Sequence, residues 1–200
     1  MTDWLLALVP TYGLWLLLAG TFLSCLALPI PASMLMIAAG GFVAAGDLSL
    51  AGSIGAALTG AVMGDQTGYW GGRWGGAGII DRLGARAAPV ARATTMLATR
   101  GGIAVFLSRW LVSALGPYVN LAAGSARLPW LPFTLWGIAG ELVWVSVYVG
   151  VGHAFTGNLA AASSMALNVL GMLAAGTVAL GLIGWLVSLL RAEARHPREA

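Results

Sequence analysis

The sequence predicts an all-α integral membrane protein that forms a single membrane domain over residues 1–200. Hydrophobic residues make up 59% and charged residues 8% of the 200, and the mean hydropathy is +0.87. Soluble domains are roughly 45–50% apolar and about 25% charged. Several apolar stretches reach the roughly 18–20 residues that a helix needs to cross about 30 Å of hydrocarbon. Lipid is therefore the expected solvent of this chain.

Four apolar segments are predicted to span the bilayer, at 4–28, 48–70, 130–151 and 165–190. The apolar region of a signal peptide is roughly 7–15 residues long. The first segment is longer than that, and no basic residue precedes it. We therefore expect it to remain in the mature protein.

Two further apolar segments are predicted to form re-entrant hairpins. The segment 33–45 follows Pro29 and Pro31 and is too short to span. Apolar pieces of roughly 10–14 residues are typical of re-entrant or interfacial segments. The segment 103–121 is broken near Pro117. Since proline interrupts a helix, this break predicts two short helices that meet at a turn.

Arginines indicate the orientation, because cytoplasmic loops carry an excess of basic residues. All ten basic residues are arginines, and the net charge is +3. The stretch 73–100 holds five of them and is predicted to be a polar cytoplasmic loop. The tail after residue 190 holds three more, so the N- and C-termini are both expected in the cytoplasm. No basic patch is interleaved with aromatics, so no nucleic-acid partner is expected.

Short motifs repeat in the two halves. An Ala-Ala-Gly motif stands at 38–40 and again at 122–124, and a pair of glycine and acid stands at 64–65 and again at 140–141. The predicted topology brings the halves in from opposite sides, which predicts an inverted repeat with a substrate site near the midplane. The alignment places the two acids at equivalent positions.

Those two acids, Asp65 and Glu141, lie within predicted spans. A charge at that depth costs on the order of 2.5–3.5 kcal/mol. Asp65 is interpreted either as a carboxylate that binds protons or a lipid headgroup, or as an interfacial residue paired with Arg73. Glu141 is interpreted either as a functional carboxylate or as a structural hydrogen-bonding group between helices.

Arg109 lies in the apolar segment 103–121. Because arginine keeps its charge in proteins, it needs an anion, for which Asp65, Glu141 and a lipid phosphate are the candidates. The alternative is that its side chain reaches back to the cytoplasmic interface. Asn120 could add a polar contact or cap a helix turn. Cys25 is interpreted as a small apolar residue, and no metal or cofactor is expected.

These residues resemble the DedA family of bacterial inner-membrane proteins, which share the VTT (SNARE-associated Golgi protein) domain. The resemblance covers about residues 25–157. It rests on the two proline breaks with their Ala-Ala-Gly motifs and on Gly64-Asp65, Tyr69, Gly72-Arg73, Arg109, Gly116-Pro117, Val119-Asn120, Phe133, Gly140, Trp144 and Gly152.

The resemblance implies two re-entrant hairpins in inverted arrangement, a bacterial inner-membrane location, and movement of lipids such as undecaprenyl phosphate or phosphatidylethanolamine across the bilayer. It also implies that Asp65 and Arg109 are functional residues. The chain departs from many members at Ser33, where they carry an acid, and at 113–116, where they carry a second arginine. Glu141 is the residue that could supply the missing carboxylate.

The first functional hypothesis is a lipid translocase of the flippase or scramblase kind, without enzymatic activity, with coupling to protons left open. Its substrate-binding candidates are Arg109, Asp65, Glu141, Asn120 and Arg73, and its partners are anionic or zwitterionic phospholipids or a polyprenyl phosphate. The alternative is a proton-coupled exporter of small cations or osmolytes.

Overall fold

The computed structural model describes residues 3–82 and 87–155, which are helical and contain no strand within those ranges. The predicted span at 165–190 and the arginine-rich tail lie outside the described residues. The helices are α1 Asp3–Ser24, α2 Ala32–Ala45, α3 Leu50–Arg82, α4 Ala87–Arg100, α5 Gly102–Trp110, α6 Gly116–Ser125 and α7 Trp130–Ala154, with a 3₁₀ turn at Ser113–Leu115 between α5 and α6.

Local chemistry sets the ends of these helices. α2 begins directly after Pro31 and ends at Gly46, whose φ is +87°. This is the left-handed cap that glycine adopts without strain. α6 has Pro117 in its first turn, where the missing N–H is not needed. The prediction of two short helices meeting at a turn within 103–121 is confirmed by α5 and α6.

The prediction of a polar loop over 73–100 was wrong. α3 is 33 residues long and continues to Arg82, and α4 occupies the second part of the stretch. Alanine and arginine favour helix, and Val90, Ala93 and Leu97 recur at intervals of three and four residues. All three are buried and belong to one core cluster with residues of α6. An amphipathic helix therefore replaces the expected loop.

Among the described residues, one helix is long and apolar enough to cross a bilayer by itself, and it is α7. The piece Tyr12–Ser24 of α1 and the whole of α2 are shorter apolar helices. The all-helical fold is thus confirmed over the described ranges. The number of spanning helices and the re-entrant course of the hairpins remain predictions.

Each half of the molecule packs its short helix against the long helix of the other half. A methyl group added at Gly40 of α2 would collide with the carbonyl oxygen of Val149 in α7, and one at Gly152 would collide with that of Ile37. These reciprocal contacts bring the two backbones together, as small residues do at helix interfaces in membranes.

The second interface has the same pattern. A methyl group at Gly124 of α6 would collide with the carbonyl oxygen of Tyr69 in α3, and one at Gly72 would collide with that of Leu121. In both interfaces the two contacts lie three residues apart on each helix and run antiparallel. The halves are therefore related by a two-fold-like exchange, in which α2 corresponds to α6 and α3 to α7.

The same correspondence extends to α1 and α5. Gly60 of α3 meets the carbonyl of Leu18 in α1, and Gly140 of α7 meets the carbonyl of Phe106 in α5. Gly60 precedes the contact glycine of α3 by twelve residues, and Gly140 precedes the contact glycine of α7 by twelve as well. The internal repeat is therefore present in the packing, with one register along the whole length.

Candidate functional site

Four polar side chains converge where the two halves meet, and each comes from a different helix. They are almost fully buried, with exposed fractions of 2% for Asp65 of α3, 4% for Arg109 of α5, 0% for Asn120 of α6 and 2% for Glu141 of α7. Buried charges in proteins are paired, because an isolated one carries a large desolvation cost. We call these four residues the ion cluster.

Arg109 is the centre of the ion cluster. Its Nη1 lies 3.0 Å from Oδ1 of Asp65, and its Nε lies 3.5 Å from Oε1 of Glu141. Its Nη2 donates a hydrogen bond of 2.7 Å to Oδ1 of Asn120. The amide nitrogen of Asn120 donates in turn to Oδ1 of Asp65 at 2.9 Å. The guanidinium is thereby held on three sides.

The neighbouring helix face makes room for this guanidinium. A methyl group at Gly140 would meet the Cγ of Arg109 at 2.6 Å, and one at Gly137 would lie 3.5 Å from its Nη2. One further turn back along α7, the ring centroid of Phe133 lies 5.8 Å from Cζ of Arg109. This separation is within cation–π range. Because Gly137 and Gly140 have no side chain, α7 leaves space for the side chain of Arg109 to lie against it.

Two atoms of the ion cluster lack a hydrogen-bond partner among the described residues, namely Nε of Arg109 and Oε2 of Glu141. Such orphaned buried atoms are uncommon and are frequently found at functional sites. Oε2 of Glu141 is therefore an acceptor open to a proton, a water molecule or a polar headgroup, whereas Nε of Arg109 makes only the 3.5 Å ion pair with Oε1.

Cys25 lies beside the two carboxylates, and one ligand atom of each of Cys25, Asp65 and Glu141 falls within 4.8 Å of the others. A thiolate with two carboxylates is a donor set that a divalent ion such as zinc accepts. Both carboxylates, however, already face the guanidinium of Arg109. The arginine thus occupies the cationic position of this group.

A small cavity of about 40 Å³ adjoins the ion cluster and is lined by Asp65, Arg109 and Glu141 together with Cys25 and three serines, among others. A single water needs roughly 10–15 Å³ of such space, so the cavity is large enough for water molecules or a small ion. A lipid headgroup requires more room than this arrangement leaves.

A larger cavity of about 350 Å³ lies next to the small one and is formed by the two helix breaks. Its walls include Pro31 and Ser33 from the first break and Pro117 and Tyr118 from the second. It shares Ser24, Ser113, Pro117 and Trp144 with the small cavity. We call this space the vestibule. It lies between the two breaks and adjoins the small cavity beside the ion cluster.

The structure brings four of the five predicted site residues together and places Arg73 elsewhere. Arg73 is exposed, donates to the hydroxyl of Tyr69 at 3.2 Å, and lies 5.8 Å from the ring of Trp70. Asp65 is paired with Arg109, which removes the alternative of an interfacial pair with Arg73. Arg109 itself is buried in the ion cluster and does not reach back to an interface.

The predicted equivalence of the two acids is replaced by a different register. The glycine contacts align Asp65 with Val145 and Glu141 with Ala61, so that the acids stand one helical turn apart in the repeat. The shared pair of glycine and acid suggested the wrong alignment, because glycines recur at intervals of four residues along α3 and several of them can be matched with a glycine of α7.

Sequence reasoning missed Cys25 and the serines that line the two cavities. Cys25 had been interpreted as a small apolar residue, and its neighbours in the site come from distant parts of the chain. One signal was present, since Ser33 and Ser113 stand where the sequence departs from the pattern it resembles. Both residues line the vestibule.

A helical fold with an internal repeat around a buried ion cluster, in which α7 is long and apolar enough to cross a bilayer, fits a membrane protein that has a polar site between its halves. The VTT domain matches residues 30–154, a span that includes all four residues of the ion cluster. The chain therefore belongs to the DedA family of VTT-domain membrane proteins.

Two curated relatives are similar to this chain. It is 33% identical to the "Uncharacterized membrane protein slr0232" of Synechocystis sp. over 146 residues, which are 71% of this chain and 66% of that protein. It is 30% identical to the "Uncharacterized membrane protein YkoX" of Bacillus subtilis over 138 residues, which are 66% of this chain and 62% of that protein. The chain thus matches just under two thirds of each relative's length. No solved structure matches it.

Proposed function

We propose that this protein is a lipid translocase that moves a phospholipid or polyprenyl phosphate across the bacterial inner membrane. The observation that carries the proposal is a buried guanidinium at the end of a vestibule, in a protein of a membrane family. Phosphate is the part of a lipid that such a guanidinium binds best, because the planar fork donates two parallel hydrogen bonds.

The ion cluster has to open for a phosphate to reach Arg109. Nη1 faces Asp65 and Nη2 faces Asn120, so a phosphate would displace Asp65 and keep Asn120 as a neighbour. The small cavity, which is large enough for water, lies between Arg109 and the vestibule. Exchange of one monoanion for another leaves the net charge beside Arg109 unchanged, which limits the energetic cost.

The charge count favours a coupling to protons or to an amine. Two carboxylates face one guanidinium, so the ion cluster has one negative charge in excess unless it holds a proton or a second cation. Oε2 of Glu141, which has no partner among the described residues, is the atom that would take it. The ammonium group of phosphatidylethanolamine would satisfy the same atom.

The proposal further places four spanning helices and two re-entrant hairpins in the membrane, with both termini in the cytoplasm. Transport proceeds without the breaking of a covalent bond, so the protein is not an enzyme. The phosphate would enter through the vestibule, and the hydrocarbon chains would stay outside the ion cluster.

The test compares Arg109→Lys with Arg92→Lys in proteoliposomes that contain either undecaprenyl phosphate or phosphatidylethanolamine. Lysine keeps the charge and preserves the pairing with the carboxylates, but it cannot donate the bidentate fork. We expect flipping by Arg109→Lys to fall at least about tenfold, which corresponds to about 1.4 kcal/mol. Arg92 is exposed on α4, and its variant should flip lipid at the wild-type rate.

Wild-type flipping by Arg109→Lys would overturn the role of the guanidinium fork. An absence of flipping in every lipid mixture, together with proton flux driven by a cation gradient, would favour the alternative of a proton-coupled exporter of small cations. The size of the small cavity, about 40 Å³, and its two carboxylates are the observations that favour this alternative.

A further inference from the structure

We propose that an apolar groove between α3 and α6 holds one hydrocarbon chain of the lipid while its phosphate occupies the ion cluster. This inference rests on the proposed function and assigns the binding site of the substrate's tail. The groove has a volume of about 220 Å³, and none of its lining residues is Asp, Glu, Lys or Arg.

The floor of the groove is α3, at Gly68 and Gly71, and one wall is α6, at Tyr118 and Leu121. Gly71 has no described atom within 4 Å of the place where a side chain would begin. One residue further on, Gly72 is in tight contact with α6. The two helices are therefore closed against each other at Gly72 and open beside it.

The groove is continuous with the site described above. It shares Cys25 and Pro117 with the small cavity at the ion cluster, and Ala27, Pro117 and Tyr118 with the vestibule. A molecule with a phosphate at Arg109 could therefore extend its apolar part past Cys25 and Pro117 into the groove. A hydrocarbon chain fits this lining, because water gains no hydrogen bonds from apolar walls.

In the described residues of the other half, side chains replace the two glycines of the groove floor. The register that aligns Gly72 with Gly152 places Tyr148 at the position of Gly68 and Val151 at the position of Gly71. Tyr148 is buried and packs in the core with Trp144. The side chain of Val151 thus stands where Gly71 leaves the first interface open, whereas a methyl group at Gly68 would lie 2.9 Å from the Cβ of Asn120. The two glycines of the groove floor are therefore found in one half only.

The experiment compares Gly71→Leu with Gly55→Leu in the full chain. Both glycines lie in α3, and neither has a described atom near its missing side chain, but Gly55 is exposed and does not line the groove. Each variant is reconstituted with a diacyl phospholipid that carries a photoreactive diazirine in one acyl chain. Flipping rate and the site of photolabelling are measured together with thermal stability.

We expect Gly71→Leu to lower flipping at least tenfold and to abolish labelling of the segments 68–71 and 118–121, with unchanged stability. Gly71→Ala should give an intermediate loss, and Gly55→Leu should behave as wild type. Wild-type flipping and labelling by Gly71→Leu would overturn the groove while leaving the proposed function intact. Labelling confined to residues outside the groove would overturn it as well.

If the wild-type protein flips no lipid but its groove is labelled and Gly71→Leu removes the label, the groove is supported and the proposed function fails. If neither flipping nor labelling of the groove occurs, both are overturned. The two readouts thus separate the failure of one proposal from the failure of the other.

Discussion

The two halves of this protein share their packing and differ in their charge. Thr21 of α1 and Arg109 of α5 occupy corresponding places, each beside the glycine at which its helix meets the long helix of its half. Thr21 is fully buried, and its hydroxyl donates to the carbonyl oxygens of Leu17 and Leu18 in its own helix. Arg109 instead extends to three other helices.

The same difference holds for the long helices. Ala61 of α3 stands where α7 has Glu141, and Val145 of α7 stands where α3 has Asp65. The repeat thus supplies a common scaffold of glycine contacts. The ion cluster, by contrast, uses one residue of the first half and three of the second. Symmetry sets where the helices meet, and single substitutions on that framework decide where the charge is.

The largest effect is expected from a substitution that removes this difference in charge between the halves. Arg109→Leu should lower the free energy of unfolding by about 3–5 kcal/mol, because it leaves two carboxylates buried without their cation. Thr21→Val at the corresponding place should cost below about 1.5 kcal/mol, since it removes only bonds within one helix. Unfolding in detergent micelles titrated with a denaturing detergent measures both, and equal costs would contradict the asymmetry.

The next effect tests the shared packing. Gly40→Ala and Gly124→Ala should each cost about 1–3 kcal/mol, because the added methyl group forces two helix backbones apart. Gly41 is one residue along α2 and has no described atom within 4 Å of a new side chain. Gly41→Ala should instead stabilise by about 0.5–1 kcal/mol. Thermal unfolding of the three variants provides the comparison. A large cost at only one of Gly40 and Gly124 would show that the two interfaces are not equivalent.

The smallest effect on stability is expected at Tyr69. This residue stands where the other half has Val149. The hydroxyl of Tyr69 donates a bond of 2.6 Å to the carbonyl oxygen of Leu128. Tyr69→Phe should therefore cost about 0.5–1.5 kcal/mol. Tyr12→Phe, at a position that is 58% exposed, is the control. An unchanged melting temperature for Tyr69→Phe would show that this bond contributes nothing.

Composition and proline placement were sufficient to predict helices, the two breaks and the residues of the ion cluster. An acid or an arginine in an apolar segment must find a partner, and only a few partners were available in this chain. The sequence could not decide between Arg73 and Arg109 as the partner of Asp65. Arg73 follows Asp65 on the same helix, whereas Arg109 lies on another helix. Which of the two pairs with Asp65 depends on which helices are in contact.

The register of the repeat was likewise beyond the sequence. Glycines at intervals of four residues allow several alignments that differ by one helical turn, and the backbone collisions at Gly72 and Gly152 select one of them. The helix at α4 was missed because its arginines outweighed a short amphipathic pattern, which became informative only when its apolar face was seen against α6.

The sequence by itself determined that this protein is a helical membrane protein and that a charge buried in one of its apolar segments needs a partner. The tertiary structure alone decided that Asp65, Arg109, Asn120 and Glu141 form one cluster, since they come from four helices and from distant parts of the chain. The physical reason is that burial makes pairing obligatory, whereas the identity of the pair follows from how closely glycines let the helices approach.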